Sequence, residues 1–105
     1  LLAARVPETA AVVTAAANLD IDAWAATRGA RPLVGSLNPA RQPALPAGVI
    51  QRHYAGGRDE IVPPEVMRKG LGPGVPPTVI PEYDHRCCWE KLWPDLLADL
   101  AKHGL

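Results

Sequence analysis

Two residues of this chain have the types and the setting to move a proton together. Asp59 follows a glycine pair in "AGGRDEIVPPE", and His85 lies in "PEYDHRCCW", each just beyond a short β-branched run. A carboxylate that accepts the Nδ1–H of a histidine fixes the tautomer of the ring. It also stabilises the imidazolium formed when Nε2 takes a proton from a nucleophile. The separation, 85 − 59 = 26 residues, holds one helix and one strand, the shortest crossover that returns a chain to the same edge of a parallel sheet. Reactive groups of such sheets collect beyond the carboxyl ends of the strands, so the two side chains can meet there. Taken singly, an Asp after Gly-Gly-Arg is a turn or helix-capping residue, and a histidine near a strand end is structural. The pair in this order and spacing is more specific than either member.

Other reactive side chains fit chemistry less well. Asp20 also follows an apolar run and is the alternative acid, although its preferred role is to cap a helix beginning near Ala23. Asp84 adjoins His85, but neighbours in sequence seldom turn their side chains toward each other. Ser36 is the only serine; it lies in a proline-rich stretch, "LVGSLNP", with no strand-to-helix turn to expose it as a nucleophile. Cys87 and Cys88 beside His85 suggest zinc, yet zinc sites want about four ligands at spacings such as C-x₂-C. Adjacent cysteines close no long loop, so they make no disulfide framework and assign no redox compartment. They are expected to be buried thiols packing the start of the last helix. His53 and His103 are expected to be structural, and Trp24, Trp89 and Trp93 to pack in the core or a covering segment. No metal and no organic cofactor is expected.

The elements that must position Asp59 and His85 follow from pattern and punctuation. "TAAVVTAAANLD" is a run of small and β-branched residues that predicts a strand buried on both faces, with helix as the competing reading. "DIDAWAATRG" predicts a short helix capped by Asp20 and stopped by Gly29. From Gly29 to Gly48 four prolines without period predict a long loop, and long loops in small domains are often functional. Leu33, Leu37 and Leu45 are its expected pocket walls. "VIQRHYA" predicts the second strand, closed by Gly56 and Gly57, which let the chain leave it sharply. Pro63 and Pro64 suit the first turn of a helix ending at Gly70. Thr78 to Ile80 predicts a third strand. "WEKLWPDLLADLAKHG" places Leu92, Trp93, Leu96, Leu97 and Leu100 on one face of a last helix, which Pro94 kinks or starts. Alternating strands and helices with long connections predict an α/β fold with a parallel sheet of about three strands.

Bulk composition narrows the partners. Eleven basic residues balance eleven acidic ones, which leaves no field to hold a polyanion, so no nucleic-acid partner is expected. No apolar run reaches the roughly 18 residues of a membrane span. The hydrophobic fraction of 48% is that of a globular chain, and a domain of this length buries about 60–68% of its unfolded surface.

The segment from "VTAAANLD" through "GSLNPA", "AGGRDEIVPP" and "EYDHRCCW" resembles the C-terminal part of the α/β-hydrolase fold. It is similar to a group of uncharacterised bacterial serine hydrolases in which these segments recur together. The resemblance implies that residues 1–105 form the downstream part of one three-layer α/β-hydrolase domain, with 29–48 as a proline-rich loop. It implies that Asp59 matches the catalytic acid and His85 the catalytic histidine of a Ser-His-Asp triad. The family's nucleophile sits on a Gly-x-Ser-x-Gly elbow, which this sequence lacks. "LLAAR" reads as the last turn of a helix that would follow such an elbow, so the nucleophile is expected just before Leu1. The implied substrate is an ester, thioester or amide, as a small molecule or another acyl compound. The chain alone is expected to be inactive and poorly stable, with one edge of its sheet open. The alternative reading is a noncatalytic half-domain that binds a partner, or itself, through that open edge.

Overall fold

A computed structural model describes residues 2–105. Its centre is a parallel sheet of three strands in the order β1 (Ala11–Ala15), β2 (Ile50–Gly56), β3 (Thr78–Ile80). Ala11 pairs with Ile50 and Ala15 with Tyr54, while Tyr54 pairs with Thr78 and Gly56 with Ile80. The register places the carboxyl ends of β2 and β3 side by side, so the loops that follow them emerge together. Ala-rich β1 is a strand, not a helix, and it is half-buried instead of covered on both faces. Three strands with short helices supply too little cover for that. The chain is thus of the α/β class.

Helix α1 (Ile21–Thr27) begins where Asp20 accepts the Ala23 amide at 3.1 Å. It ends in a Schellman motif: Gly29 sits at φ +65°, and the Ala30 and Gly29 amides donate to the Ala25 and Ala26 carbonyls. Helix α2 (Pro64–Leu71) has Pro64 in its first turn and is closed by Gly72 at φ +74°. Gly70 therefore does not stop it. A Cβ at Gly70 would meet the Leu19 carbonyl carbon at 2.6 Å, so glycine is needed there for close approach of helix and loop. A 3₁₀ turn at Trp89–Leu92 leads into helix α3 (Trp93–Ala101), whose first turn holds Pro94. Pro94 thus starts a helix and does not kink a longer one. Leu96 is buried on α3, whereas Trp93 and Leu97, expected on its inner face, are exposed. "LLAAR" forms a 3₁₀ turn over Ala3–Arg5, and Leu1 lies outside the described residues.

Side chains alternate along a strand, and the register puts Thr14 and His53 on one face of the sheet, with Arg52 on the other. Helix α2 packs on β2 and against α1. The Arg52 guanidinium reaches Asp99 on α3 at 2.8 Å. Ala55, Val62, Val66, Met67 and Leu96 form the apolar core with Ala16 and Ala25. Buried Ala55 and Val62 stand on either side of Asp59 in the chain, so the loop that carries it is anchored in the core at both ends. No helix among the described residues is long and apolar enough to cross a membrane.

Candidate functional site

Asp59 and His85 meet where the β2 and β3 loops emerge. The backbone pairing of the two strands continues past their ends: the Gly57 amide donates to the Ile80 carbonyl at 2.8 Å and the Arg58 amide to the Tyr83 carbonyl at 2.9 Å. This approach is why Gly56 and Gly57 are glycines. A Cβ on Gly56 would lie 2.9 Å from the Tyr83 carbonyl carbon, and one on Gly57 would lie 2.8 Å from Pro81 Cα. Neither glycine has a positive φ. Their role is to admit the backbone that carries His85, which corrects the expectation that they serve a sharp exit from the strand.

The Asp59 side chain is fully buried and uses both oxygens. Oδ1 accepts the amides of Ile61 at 2.9 Å and Val62 at 2.7 Å. Oδ2 lies 2.9 Å from His85 Nδ1. Two fixed backbone donors on one oxygen leave the other aimed at the ring. Since a carboxylate only accepts, Nδ1 carries the proton and the Nε2 lone pair is free to accept one. The His85 side chain is one-third exposed, and Nε2 makes no hydrogen bond among the described residues. The ring is held from behind and open in front.

Each loop is pinned by an indole. Trp24 Nε1–H on α1 donates to the Ile61 carbonyl at 2.9 Å, and Arg28 donates to the Glu60 carbonyl at 3.1 Å, so α1 clamps the acid loop. Trp89 Nε1–H donates to the His85 carbonyl at 3.2 Å, and the Trp89 ring meets Tyr83 edge-on at 5.1 Å. Trp24 and Trp89 thus do more than fill space, while Trp93 is exposed.

The remaining candidates stand elsewhere. Asp20 caps α1 and also accepts from Asn38 Nδ2 at 3.1 Å. Asp84 turns its carboxylate to the amides of Arg86 at 2.8 Å and Cys87 at 2.7 Å. Those two amide bonds hold its carboxyl below the ordinary aspartate range; it shapes the loop and does not bond the His85 ring. Ser36 is exposed at the end of a turn closed by its own amide on the Leu33 carbonyl. Cys87 and Cys88 are half-buried beside the start of the last 3₁₀ turn, less covered than the buried packing expected of them, with their sulfurs in contact. No group of three or more His, Cys, Asp or Glu side chains placed to hold a metal ion occurs among the described residues. His53 is buried between Thr14 and Gln51: Nε2–H donates to Gln51 Oε1 at 3.1 Å and Nδ1 accepts the Thr14 hydroxyl at 2.8 Å. Burial holds its pKa below the ordinary histidine value. His103 lies beside Arg52 at the end of α3.

Two cavities, of about 690 and 550 Å³, open near Leu45, Gln51 and His53, and neither is lined by Asp59 or His85. Leu45 walls both, and Leu33 and Leu37 are exposed. Of the expected pocket walls, Leu45 therefore lines both of these cavities, and neither holds the Asp59–His85 pair.

Asn38 is the residue that sequence reasoning missed. It is buried, and its Oδ1 accepts the amides of Ile21 at 3.2 Å and Ala40 at 3.1 Å. Its Nδ2 donates to Asp20 and Asp22. These bonds staple the proline-rich loop to the start of α1, the helix that clamps the acid loop. The signal was the dipeptide Asn38-Pro39, a turn-starting pair with a side chain able to bond its own backbone two residues on.

Comparison of the chain with family models, curated proteins and solved structures returns no match.

Proposed function

We propose that this chain supplies the acid and the base of a serine hydrolase of the α/β-hydrolase type, acting on an ester, thioester or amide. The observation that carries the reading is the Asp59–His85 contact at 2.9 Å, with the second Asp59 oxygen occupied by two backbone amides. In this reading a serine outside residues 2–105 attacks the acyl carbon. His85 Nε2 takes the serine proton and returns it to the leaving group, and Asp59 keeps the ring in the Nδ1–H tautomer and stabilises its charged form. The test is fluorophosphonate labelling of the polypeptide that joins this chain to a Gly-x-Ser-x-Gly elbow. His85→Ala is expected to abolish labelling, and undiminished labelling would sink the assignment. Residues 1–105 alone are expected to take up no label, and label on Ser36 would replace the proposed nucleophile.

A noncatalytic interaction module is the second reading. It is favoured by the exposure of Trp93 and Leu97 on α3 and by β1 and β3, each paired on one side only. Light scattering separates the two readings: self-association that survives with His85→Ala and vanishes with Trp93→Glu supports the module.

A further inference from the structure

Each of the two amides that hold Asp59 belongs to a peptide group whose other end is bonded as well. The Ile61 N–H shares its peptide group with the Glu60 carbonyl, and the Val62 N–H shares its own with the Ile61 carbonyl. Both N–H groups donate to Asp59 Oδ1, at 2.9 and 2.7 Å. Arg28 donates to the Glu60 carbonyl at 3.1 Å, and the Trp24 indole donates to the Ile61 carbonyl at 2.9 Å. Neither peptide bond is cis, and in a trans peptide the C=O and the N–H point in opposite directions. The end of α1 therefore stands on one side of both groups and the carboxylate on the other. Trp24 and Arg28 are four residues apart, a spacing that sets them on one face of the helix. The Arg28 guanidinium lies 6.0 Å from the centre of the Trp24 ring. Each side chain thus serves one peptide group, and both groups serve one oxygen.

A donor on a carbonyl oxygen polarises the peptide and strengthens the N–H of the same group as a donor, by about 10–30% per bond. A clamp that only fastened the loop could take any of its carbonyls. These two side chains take the pair of carbonyls whose amides converge on Asp59. We propose that Trp24 and Arg28 are positioning residues of the Asp59–His85 pair, which polarise and fix the two amides on Oδ1 and so hold Oδ2 on His85 Nδ1. Turning Oδ2 away from the ring would break both amide bonds at once, so strengthening those bonds restrains the carboxylate. The hydrogen-bonded chain runs from α1 through two peptide groups to the carboxylate and then to the ring. The consequence for proton transfer rests on the hydrolase reading, whereas the link from α1 to the His85 tautomer does not.

The test uses the full encoded chain, labelled with nitrogen-15, and two variants. Trp24→Phe keeps an aromatic ring and removes the N–H; Arg28→Met keeps the stem and removes the donor. Trp24→Phe is expected to move the Val62 amide proton upfield and to leave that of Ile61 in place. Arg28→Met is expected to do the reverse. Hydrogen exchange of the affected amide is expected to rise by up to about fivefold, since about 10–30% of a charge-assisted bond is lost. In each variant the His85 ring nitrogens are expected to report some Nε2–H tautomer beside the Nδ1–H form, and more of it in the double variant. A clamp without the relay would loosen the loop as a whole, so both amides moving together in each variant, or neither moving, would overturn the inference. A ring that keeps Nδ1–H alone in every folded variant would overturn the positioning of His85. Arg28 is exposed, so Arg28→Met carries the test even where Trp24→Phe unfolds the chain. No readout uses turnover: a failed His85→Ala labelling test leaves the relay intact, and a failed relay leaves the hydrolase reading intact.

Discussion

Replacing Asp59 by Asn and by Ala separates what its oxygens do for the fold from what they do for His85. The carboxylate accepts from His85, Ile61 and Val62. Bonds to a charged acceptor contribute about 1.5–3 kcal/mol each and neutral ones about 0.5–1.5, so Asn loses roughly 1 kcal/mol on each of the three. It is also relieved of a charge with no exposure to water, and the effective cost of burying an ion is several kcal/mol. The two effects are of similar size and opposite sign. Asp59→Asn is therefore expected to change unfolding free energy by no more than about 1–2 kcal/mol, which lies within that cancellation. Ala keeps neither acceptor and strands the Ile61 and Val62 amides, at about 1–3 kcal/mol per buried donor, for a loss of about 4. The histidine responds in the opposite order of severity. In Asp59→Asn the amide nitrogen faces Nδ1, donor against donor, so the ring is expected to move its proton to Nε2 and accept at Nδ1. Nitrogen NMR of the imidazole reads the tautomer, and urea titration reads stability. In the hydrolase proposed above, the wrong tautomer is expected to lower turnover by about 10⁴-fold, the order seen when a triad carboxylate becomes an amide. An Asn variant that keeps Nδ1–H, or an Ala variant within about 1 kcal/mol of the parent, would refute the account of the site.

Three further outcomes follow from the same geometry. Gly57→Ala sets a Cβ 2.8 Å from Pro81 Cα; because both partners are backbone, it is expected to cost at least about 1–3 kcal/mol and to loosen the Asp59–His85 contact, read from the His85 ring protons. The lowered pKa of buried His53 means that below the ordinary histidine range the unfolded chain holds more protons than the folded one. Stability is then expected to fall as pH drops through about 6.5 toward the depressed folded value, and His53→Gln to flatten that slope in urea midpoints between pH 7.5 and 5.5. Asn38→Ala leaves the Ile21 and Ala40 amides unpaired. It is expected to cost about 2–3 kcal/mol and to raise hydrogen exchange in the 36–48 loop before any other segment.

The parts of the fold that the sequence made legible are those governed by local rules. Asp20 caps α1, Gly29 ends it, Pro64 opens α2, and Thr78–Ile80 is the third strand; each follows from backbone chemistry within a few residues. The Asp59–His85 juxtaposition was legible because one crossover in a parallel sheet leaves little choice of where the chain returns. The reasons for glycine were not. Gly70 looks like a helix stop and Gly56 like an exit turn until the opposing backbone is in place, and that backbone belongs to segments distant in sequence. Asn38 was hidden for the same cause, since three of its four bonds reach α1 or its cap. Apolar periodicity misled at α3, where Trp93 and Leu97 match the buried face by spacing and are exposed. A helix pattern states which face can be buried, but the partner layer decides how much of it is.

The His85 loop has no strand or helix of its own to hold it, since β3 ends at Ile80 and the next turn begins at Trp89. Its order comes from three kinds of contact: the continued pairing with Gly57 and Arg58, the Asp84 carboxylate on the following amides, and the Trp89 indole on the His85 carbonyl. Asp59, by contrast, is buried, and its Oδ1 is held by two amides of its own loop. Asp59 is thus held by backbone within three residues of it, and His85 by contacts from several segments. With Oδ1 occupied by those amides, Oδ2 is left to accept from His85 Nδ1 and fix its tautomer. The position of the ring then depends on the contacts of Asp84 and Trp89 that order its loop.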